Sequence, residues 1–292
     1  MPEGHTLHRL AGTLQRAFGG DAVAASSPQG RFASGAALLD GATLERAEAW
    51  GKHLFLDLDD HVLHVHLGLY GTWPVEKAPA PAPVGAVRLR LESPRSFADL
   101  RGPTACDLVG ESGREQILAR LGPDPIRPDS DPERFVARVR SSRALVGGML
   151  MDQSVIAGVG NIYRAEVLFR HRISPYAEGR QVSVAKLRAV WDDLVVLMHD
   201  GVRRGRIVTV DPADVEALAA LDVDRPSSDD PELDGDDDSL AMRRRRRSTG
   251  AYVYGRTGRP CLRCGTKVRM AELQGRRVYW CGTCQRVPRT RT

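Results

Sequence analysis

The sequence predicts an α+β chain built in several parts, and three observations carry that prediction. A β-periodic stretch opens the chain behind one helix, a helix-periodic stretch follows from about residue 132, and four cysteines near the C-terminus fall into two C-x2-C pairs. The 292 residues allow two compact domains or one with an appendage, and 42% hydrophobic content supports real cores. No apolar run approaches the roughly 20 residues of a membrane span. The N-terminus carries Glu3 and no long apolar segment, so it does not read as a secretion signal. The expected address is the cytosol.

Residues 6–18 place Leu7, Leu10, Leu14 and Phe18 at helical spacing, which predicts an amphipathic helix. In HLFLDLDDHVLHVHLGLYGTW, residues 53–73, Leu54, Leu56 and Leu58 alternate, Asp59-Asp60 supplies a turn, and Leu63, Val65 and Leu67 alternate again. That is a β-hairpin pattern. APAPAP at 78–83 is a stiff connector, and AVRLRLES resumes the strand period at Val87, Leu89 and Leu91. The first part thus spans residues 1–121. The helical part spans 132–221, with the helical period over 143–170 and 184–203. Residues 222–248, which include SSDDPELDGDDDSLAMRRRRRS, have the composition of a disordered linker. A cysteine-bearing hairpin occupies 249–286. There is no internal repeat.

The net charge is +5, but it is unevenly placed. Residues 243–292 hold fifteen Lys/Arg against Glu272 alone, and residues 222–242 hold nine acids against one Arg, leaving the first 221 residues near neutral. A concentrated basic segment suits a polyanion such as nucleic acid, with binding that weakens in salt; the alternative is a solubility role.

Cys261-x2-Cys264 and Cys281-x2-Cys284 stand sixteen residues apart. Two such pairs at this spacing form a tetrahedral thiolate site for zinc, and a cytosolic chain disfavours disulfides. No histidine joins the set, so the metal is expected to be structural, stapling a hairpin too small to fold on a core of its own. Arg276 and Arg277 lie between the pairs, either as phosphate grippers or as part of a solvated basic loop. Cys106 stands alone, a buried or semi-buried thiol with no role.

In LMDQSVIAGVGNIYRAEVLF, residues 150–169, Gly158-Val-Gly160 breaks the helical period and Asn161 stands where a helix N-cap belongs. Such a turn presents free N–H groups and a positive dipole end to phosphate, or it is simply an interhelical corner. The chain opens MPEGH. Removal of Met1 would make the Pro2 nitrogen a free secondary amine, a candidate nucleophile.

The N-terminal PEG, the GVGNIY turn and the C-terminal WCGTCQ hairpin together resemble the formamidopyrimidine-DNA glycosylase/endonuclease VIII family of base-excision-repair enzymes. PEGH resembles the endonuclease VIII branch, in a bacterial form with a zinc finger. The resemblance covers the whole chain apart from the charged linker. It implies an N-terminal β-sandwich flanked by helices, a helix–two-turn–helix domain and a zinc-finger hairpin, with DNA in the cleft between the lobes.

The resemblance also assigns chemistry. Pro2 would attack C1′ of a damaged nucleoside and form an iminium, from which the 3′ and 5′ phosphates are eliminated. An α-amine titrates near pH ~8, well below lysine, and a helix N-terminus lowers it further. Glu3 would be the acid–base group that helps open the sugar ring. Lys52, in WGKHLFL, would contact phosphate beside the lesion and assist catalysis. Asn161 and Arg276 would grip the phosphate at the lesion. Leu69 and Tyr70, in HLGLYG, would fill the void left by the flipped base, or alternatively finish the hairpin's core. Departures from the family pattern are His5, Thr6, Gly68 and Ser154, where other members carry proline, glutamate, a larger polar residue and lysine. His64 and His66 share a strand face and read as a metal pair or as packing and phosphate contacts.

The expected function is that of a bifunctional glycosylase and abasic-site lyase acting mainly on oxidised pyrimidines, as a monomer on damaged double-stranded DNA, in the bacterial cytoplasm at the nucleoid. A non-catalytic binder of damaged DNA, or a preference for oxidised purines, is the alternative.

Overall fold

The computed structural model describes residues 2–222 and 250–287. The chain divides into two compact units, one of residues 1–130, 156–158 and 201–205, the other of the remainder.

In the first unit the order is α1 (Gly4–Phe18), β1 (Ala24–Ser26), α2 (Ala33–Leu39), β2 (Leu44–Trp50), β3 (His53–Leu58), β4 (His61–His66), β5 (Val75–Lys77), β6 (Val87–Glu92), β7 (Ser96–Arg101), β8 (Ala105–Leu108) and α3 (Gly110–Leu118). The strands form two antiparallel four-stranded sheets, ordered β1-β6-β7-β5 and β2-β3-β4-β8. The alternating leucines do what their period requires. Leu54, Leu56, Leu58, Leu63 and Val65 from one sheet meet Leu89, Leu91, Ala98 and Leu100 from the other, and Leu7, Leu14 and Phe18 of α1 join the same core. The expected β-sandwich with a leading helix is therefore present. Cys106 is part of this core, where burial pushes its thiol up to about 12.

The other face of the β2–β4 sheet is covered too. Phe55, Val62 and His64 are buried, α3 packs on β4, and the Arg114 guanidinium lies 5.6 Å from the Phe55 ring. The hairpin ends at His66, short of the expected residue 73, because β4 gives way to a turn at Gly68.

The second unit holds α4 (Pro132–Arg140), α5 (Val146–Met149), α6 (Asn161–Arg170), α7 (Val184–Arg204) as far as Asp200, α8 (Val215–Asp222), β9 (Arg269–Leu273) and β10 (Arg276–Trp280). Residues 143–170 are not one helical stretch. Successive turns, with Asp152 N–H on the Met149 carbonyl and Val155 N–H on the Asp152 carbonyl, carry the chain from α5 to α6 through Gly158 at φ +85. Strands β9 and β10 join through Gln274 and Gly275, both with positive φ, the two-residue turn whose twist matches a hairpin. The hairpin shares a core with α6: Phe169, Tyr252, Val268, Tyr279 and Cys281 form one cluster. Buried Glu166 of α6 accepts the backbone N–H groups of Tyr252, Val253 and Tyr254, which fixes the approach to the hairpin. The charged stretch expected at 222–248 lies outside the described residues, apart from Asp222. Among the described residues no helix is long and apolar enough to cross a membrane.

Candidate active site

Glu3 caps α1 in an extended conformation and is fully buried. The Gly4 N–H donates to the Gly158 carbonyl at 2.8 Å, and the Thr6 N–H to the Glu3 carbonyl at 2.8 Å. Pro2 directly precedes the cap, so its nitrogen lies at the positive end of a 15-residue helix. Beside it, burial, with the N-terminal amine and His8 adding to it, pushes the His5 imidazole down to about 4.

Lys52 stands in the tight turn between β2 and β3. Gly51 has φ +58, and a Cβ there would come within 2.9 Å of both Ala157 Cβ and Gly158 N. Only glycine satisfies both the angle and the approach. The Gly51 N–H donates to Asp124 Oδ2 at 2.7 Å, and the Trp50 indole N–H to the Gly122 carbonyl at 3.2 Å. Gly158 thus touches both the start of α1 and the Lys52 turn, which brings Pro2, Glu3 and Lys52 to one locality of the first unit. Asp124 is the hub beneath it. Its buried carboxylate also meets His8 Nε2 at 2.7 Å and accepts the Ile126 N–H at 2.9 Å.

Three histidines flank the turn. His53 Nδ1 and His64 Nε2 lie 2.9 Å apart with rings stacked at 5.2 Å, and the His66 ring stands edge-on to His53 at 5.0 Å. Burial, reinforced by His64 and His66, pushes His53 down to about 3; burial and His66, against the opposing charge of Asp107, push His64 to about 4; burial and Lys52 lower His66. They are neutral imidazoles at neutral pH. His64 also packs against Phe55 at 5.2 Å, which favours the packing role over a metal pair.

Leu69 and Tyr70 are 40% and 87% exposed, outside the core that was the alternative for them. The flanking glycines explain the projection. At Gly68, φ +68, a Cβ would overlap the Thr104 hydroxyl, and at Gly71 it would meet Leu67 Cα at 2.8 Å. Both ends of the loop are pressed against backbone or side chain, and the two residues between them stand out.

In the second unit the N-cap of α6 is Gly160, and Asn161 is the first helical residue, so the expected N-cap role for Asn161 is corrected. Its Oδ1 does not cap a backbone N–H; it accepts from Nη2 of Arg164, one turn along the same helix. Arg276 opens β10, exposed, just past the Gln274–Gly275 turn. Ser154 spends its hydroxyl on Asp152 Oδ1 at 2.7 Å.

The sulfurs of Cys261, Cys264, Cys281 and Cys284 all lie within 4.8 Å of one another, with Cys264–Cys281 at 3.4 Å and Cys261–Cys284 at 3.9 Å. Those distances are far beyond a disulfide bond. They bracket the ~3.8 Å edge of a tetrahedron with metal–sulfur bonds near 2.3 Å. The donor set therefore fits a four-coordinate soft-metal site. Gln285 stitches it in place, accepting the Cys281 N–H at 2.8 Å and donating to the Ile173 carbonyl at 2.9 Å.

Sequence reasoning missed Asp124, His8, Arg164 and Glu166. Asp124 had one weak signal, an acid between two prolines in Gly-Pro-Asp-Pro. The others read as ordinary helix charges.

Two family models match the chain, the formamidopyrimidine-DNA glycosylase N-terminal domain over residues 1–106 and the H2TH domain of the same enzymes over 121–212. "Endonuclease 8 1" of Mycobacterium tuberculosis is 47% identical over 290 residues, covering 98% of this chain and 100% of that protein. "Probable endonuclease 8 2" of Streptomyces coelicolor is 33% identical, covering 100% and 96%. A crystal structure of Lactococcus lactis formamidopyrimidine-DNA glycosylase with abasic-site DNA shares the fold at TM-score 0.74 and 20% identity, covering 97% of this chain and 99% of that one.

Proposed function

Since the chain belongs to the formamidopyrimidine-DNA glycosylase/endonuclease VIII family, we propose that Pro2, freed by loss of Met1, is the nucleophile of its reaction, with Glu3 and Lys52 completing the catalytic group. The protein is a bifunctional base-excision-repair DNA glycosylase and abasic-site lyase. The observation that carries the residue assignment is the convergence of the α1 cap and the Lys52 turn on Gly158.

The Pro2 amine attacks C1′ of the damaged nucleoside, the bond from C1′ to the base breaks, and the departing base takes up the proton that the amine nitrogen gives up. Glu3 delivers a proton to the ring oxygen, the sugar opens, and an iminium joins Pro2 to C1′. This cation is an electron sink, so loss of the C2′ proton expels the 3′ phosphate and a second elimination expels the 5′ phosphate. Lys52 offsets the charge of the phosphate beside the lesion. Asn161 and Arg276 hold the lesion phosphate, and Leu69 and Tyr70 occupy the vacated stack. The substrate is damaged double-stranded DNA, chiefly with oxidised pyrimidines, in keeping with the endonuclease 8 names of the relatives. The protein works as a monomer in the bacterial cytoplasm at the nucleoid. Its parts are the catalytic sandwich, residues 1–121; the helix–two-turn–helix domain, 132–221; a linker; and the hairpin, 249–286. The four cysteines hold one structural zinc ion.

An incision assay tests this reading. Met-processed protein should cut an abasic duplex to a one-nucleotide gap with phosphate on both ends, and thymine glycol and dihydrouracil duplexes faster than 8-oxoguanine. Binding without incision of any of them would leave a damage-binding protein in place of an enzyme; fastest incision of 8-oxoguanine would move the substrate to oxidised purines.

A further inference from the structure

We infer that Arg164 is a positioning residue for DNA binding, a single buried guanidinium that orients the Asn161 amide and anchors the strand bearing Arg276. The inference rests on the phosphate-binding reading of Asn161 and Arg276. Arg164 is fully buried on α6. Its Nη1 donates to the Gly147 carbonyl of α5 at 3.2 Å, and its Nη2 to the Arg277 carbonyl of β10 at 2.7 Å. The same Nη2 donates to Asn161 Oδ1.

The chemistry of the partners fixes the direction of each group. A guanidinium has only donors, so the Asn161 amide must turn its oxygen to Arg164 and its NH2 away. An outward NH2 is the end that a phosphate oxygen accepts from. The Arg277 carbonyl is one residue past Arg276, so the same fork holds the start of β10. Beside it the tip of the hairpin is seated on two glycines: a Cβ at Gly147 would stand 3.1 Å from Leu273 Cδ2, and one at Gly148 2.8 Å from Gln274 Cδ. Helices α5 and α6 and the hairpin are thus keyed to one side chain. An apolar residue of similar size would fill the space at lower desolvation cost, so packing alone does not call for a charge here.

The test uses the full-length, zinc-loaded protein and a duplex carrying a tetrahydrofuran abasic analogue. Asn161→Ala should weaken binding. Arg164→Lys keeps the charge but not the fork, and should weaken binding roughly tenfold. In the Asn161→Ala background the Arg164→Lys change should cost less than it does in the parent, because the part that acts through the amide is already lost and only the hold on β10 remains. Asn161→Asp keeps an acceptor for Arg164 and loses the donor. It should melt no lower than the parent, because the Arg164 bond survives, and bind poorly, because the donor is gone; the coupling between the two positions is what a purely structural arginine would not produce. Additive losses in the double variant would overturn the inference, as would unchanged affinity in Asn161→Asp while Asn161→Ala binds weakly. If Asn161→Ala itself binds like the parent, the phosphate reading fails first and takes this inference with it. Should Arg164→Lys not fold, the melts decide: Asn161→Asp melting at or below Asn161→Ala would show that position 161 turns no oxygen to Arg164, and would overturn the inference.

Discussion

Gly51 donates its backbone N–H to Oδ2 of Asp124 at 2.7 Å, and that bond fixes the turn on which Lys52 stands. The same carboxylate oxygen meets His8 of α1, so one side chain ties the Lys52 turn to the helix that begins behind Pro2. Asp124→Ala should therefore harm both fold and chemistry. It leaves the Gly51 and Ile126 amides and the His8 ring without their acceptor, at a cost of about 3 kcal/mol in denaturant unfolding. Incision of abasic DNA should fall further than the unfolded fraction accounts for. A variant with parental stability and activity would show that the turn holds itself.

The histidines give the stability a pH dependence of definite sign. His5, His53 and His64 sit at about 4, 3 and 4 in the folded protein, against 6.5 for a free imidazole. Between pH 6.5 and 4 the unfolded chain takes up protons that the folded chain refuses, so stability falls as pH falls, by up to about 1.4 kcal/mol per unit for each such group. It is regained above 6.5. His64→Gln should flatten the curve relative to the parent in thermal melts across this window, where other titrating groups cancel in the comparison. Parallel curves would contradict neutral burial of His64.

Cys264→Ser should lose the metal and loosen the core that the hairpin shares with α6. Native mass spectrometry should find one zinc ion on the parent and none on the variant, and the variant's melting transition should fall or split. DNA affinity should drop with it, since Arg276 lies on the stapled hairpin. Full affinity and an unchanged melt without metal would remove zinc from the account.

Leu69→Ala and Tyr70→Ala should separate base removal from later steps. Both side chains are exposed, so melting should shift by no more than about 0.5 kcal/mol in stability. Excision of thymine glycol should slow about tenfold or more, while cleavage of a preformed abasic site, which has no base to extrude, should change less. Equal losses on both substrates would point to a general binding role.

What was legible in the sequence follows from range. The β3–β4 hairpin could be read because its alternation and turn are local, and α1 and α7 because their period is long. The cysteine site was legible because its spacing is itself the ligand geometry. The partnering of β1 with β6, or β5 with β7, leaves no local trace, so the sandwich came from the resemblance alone. The run at 143–170 kept its helical period while the chain turned twice, because buried turns need apolar residues as helices do. Asp124 escaped notice because its partners come from residues 8, 51 and 126, and Arg164 because a buried guanidinium and a solvated one look alike in sequence.

The central claim is that the amine of Pro2 attacks the sugar. Borohydride reduction of the Met-processed protein on an abasic duplex, followed by peptide mapping, tests it most directly. A reducible adduct on Pro2, absent from a Pro2→Gly control that still binds the duplex, is the predicted result. An adduct mapped to Lys52, or none while the DNA is bound, would contradict it.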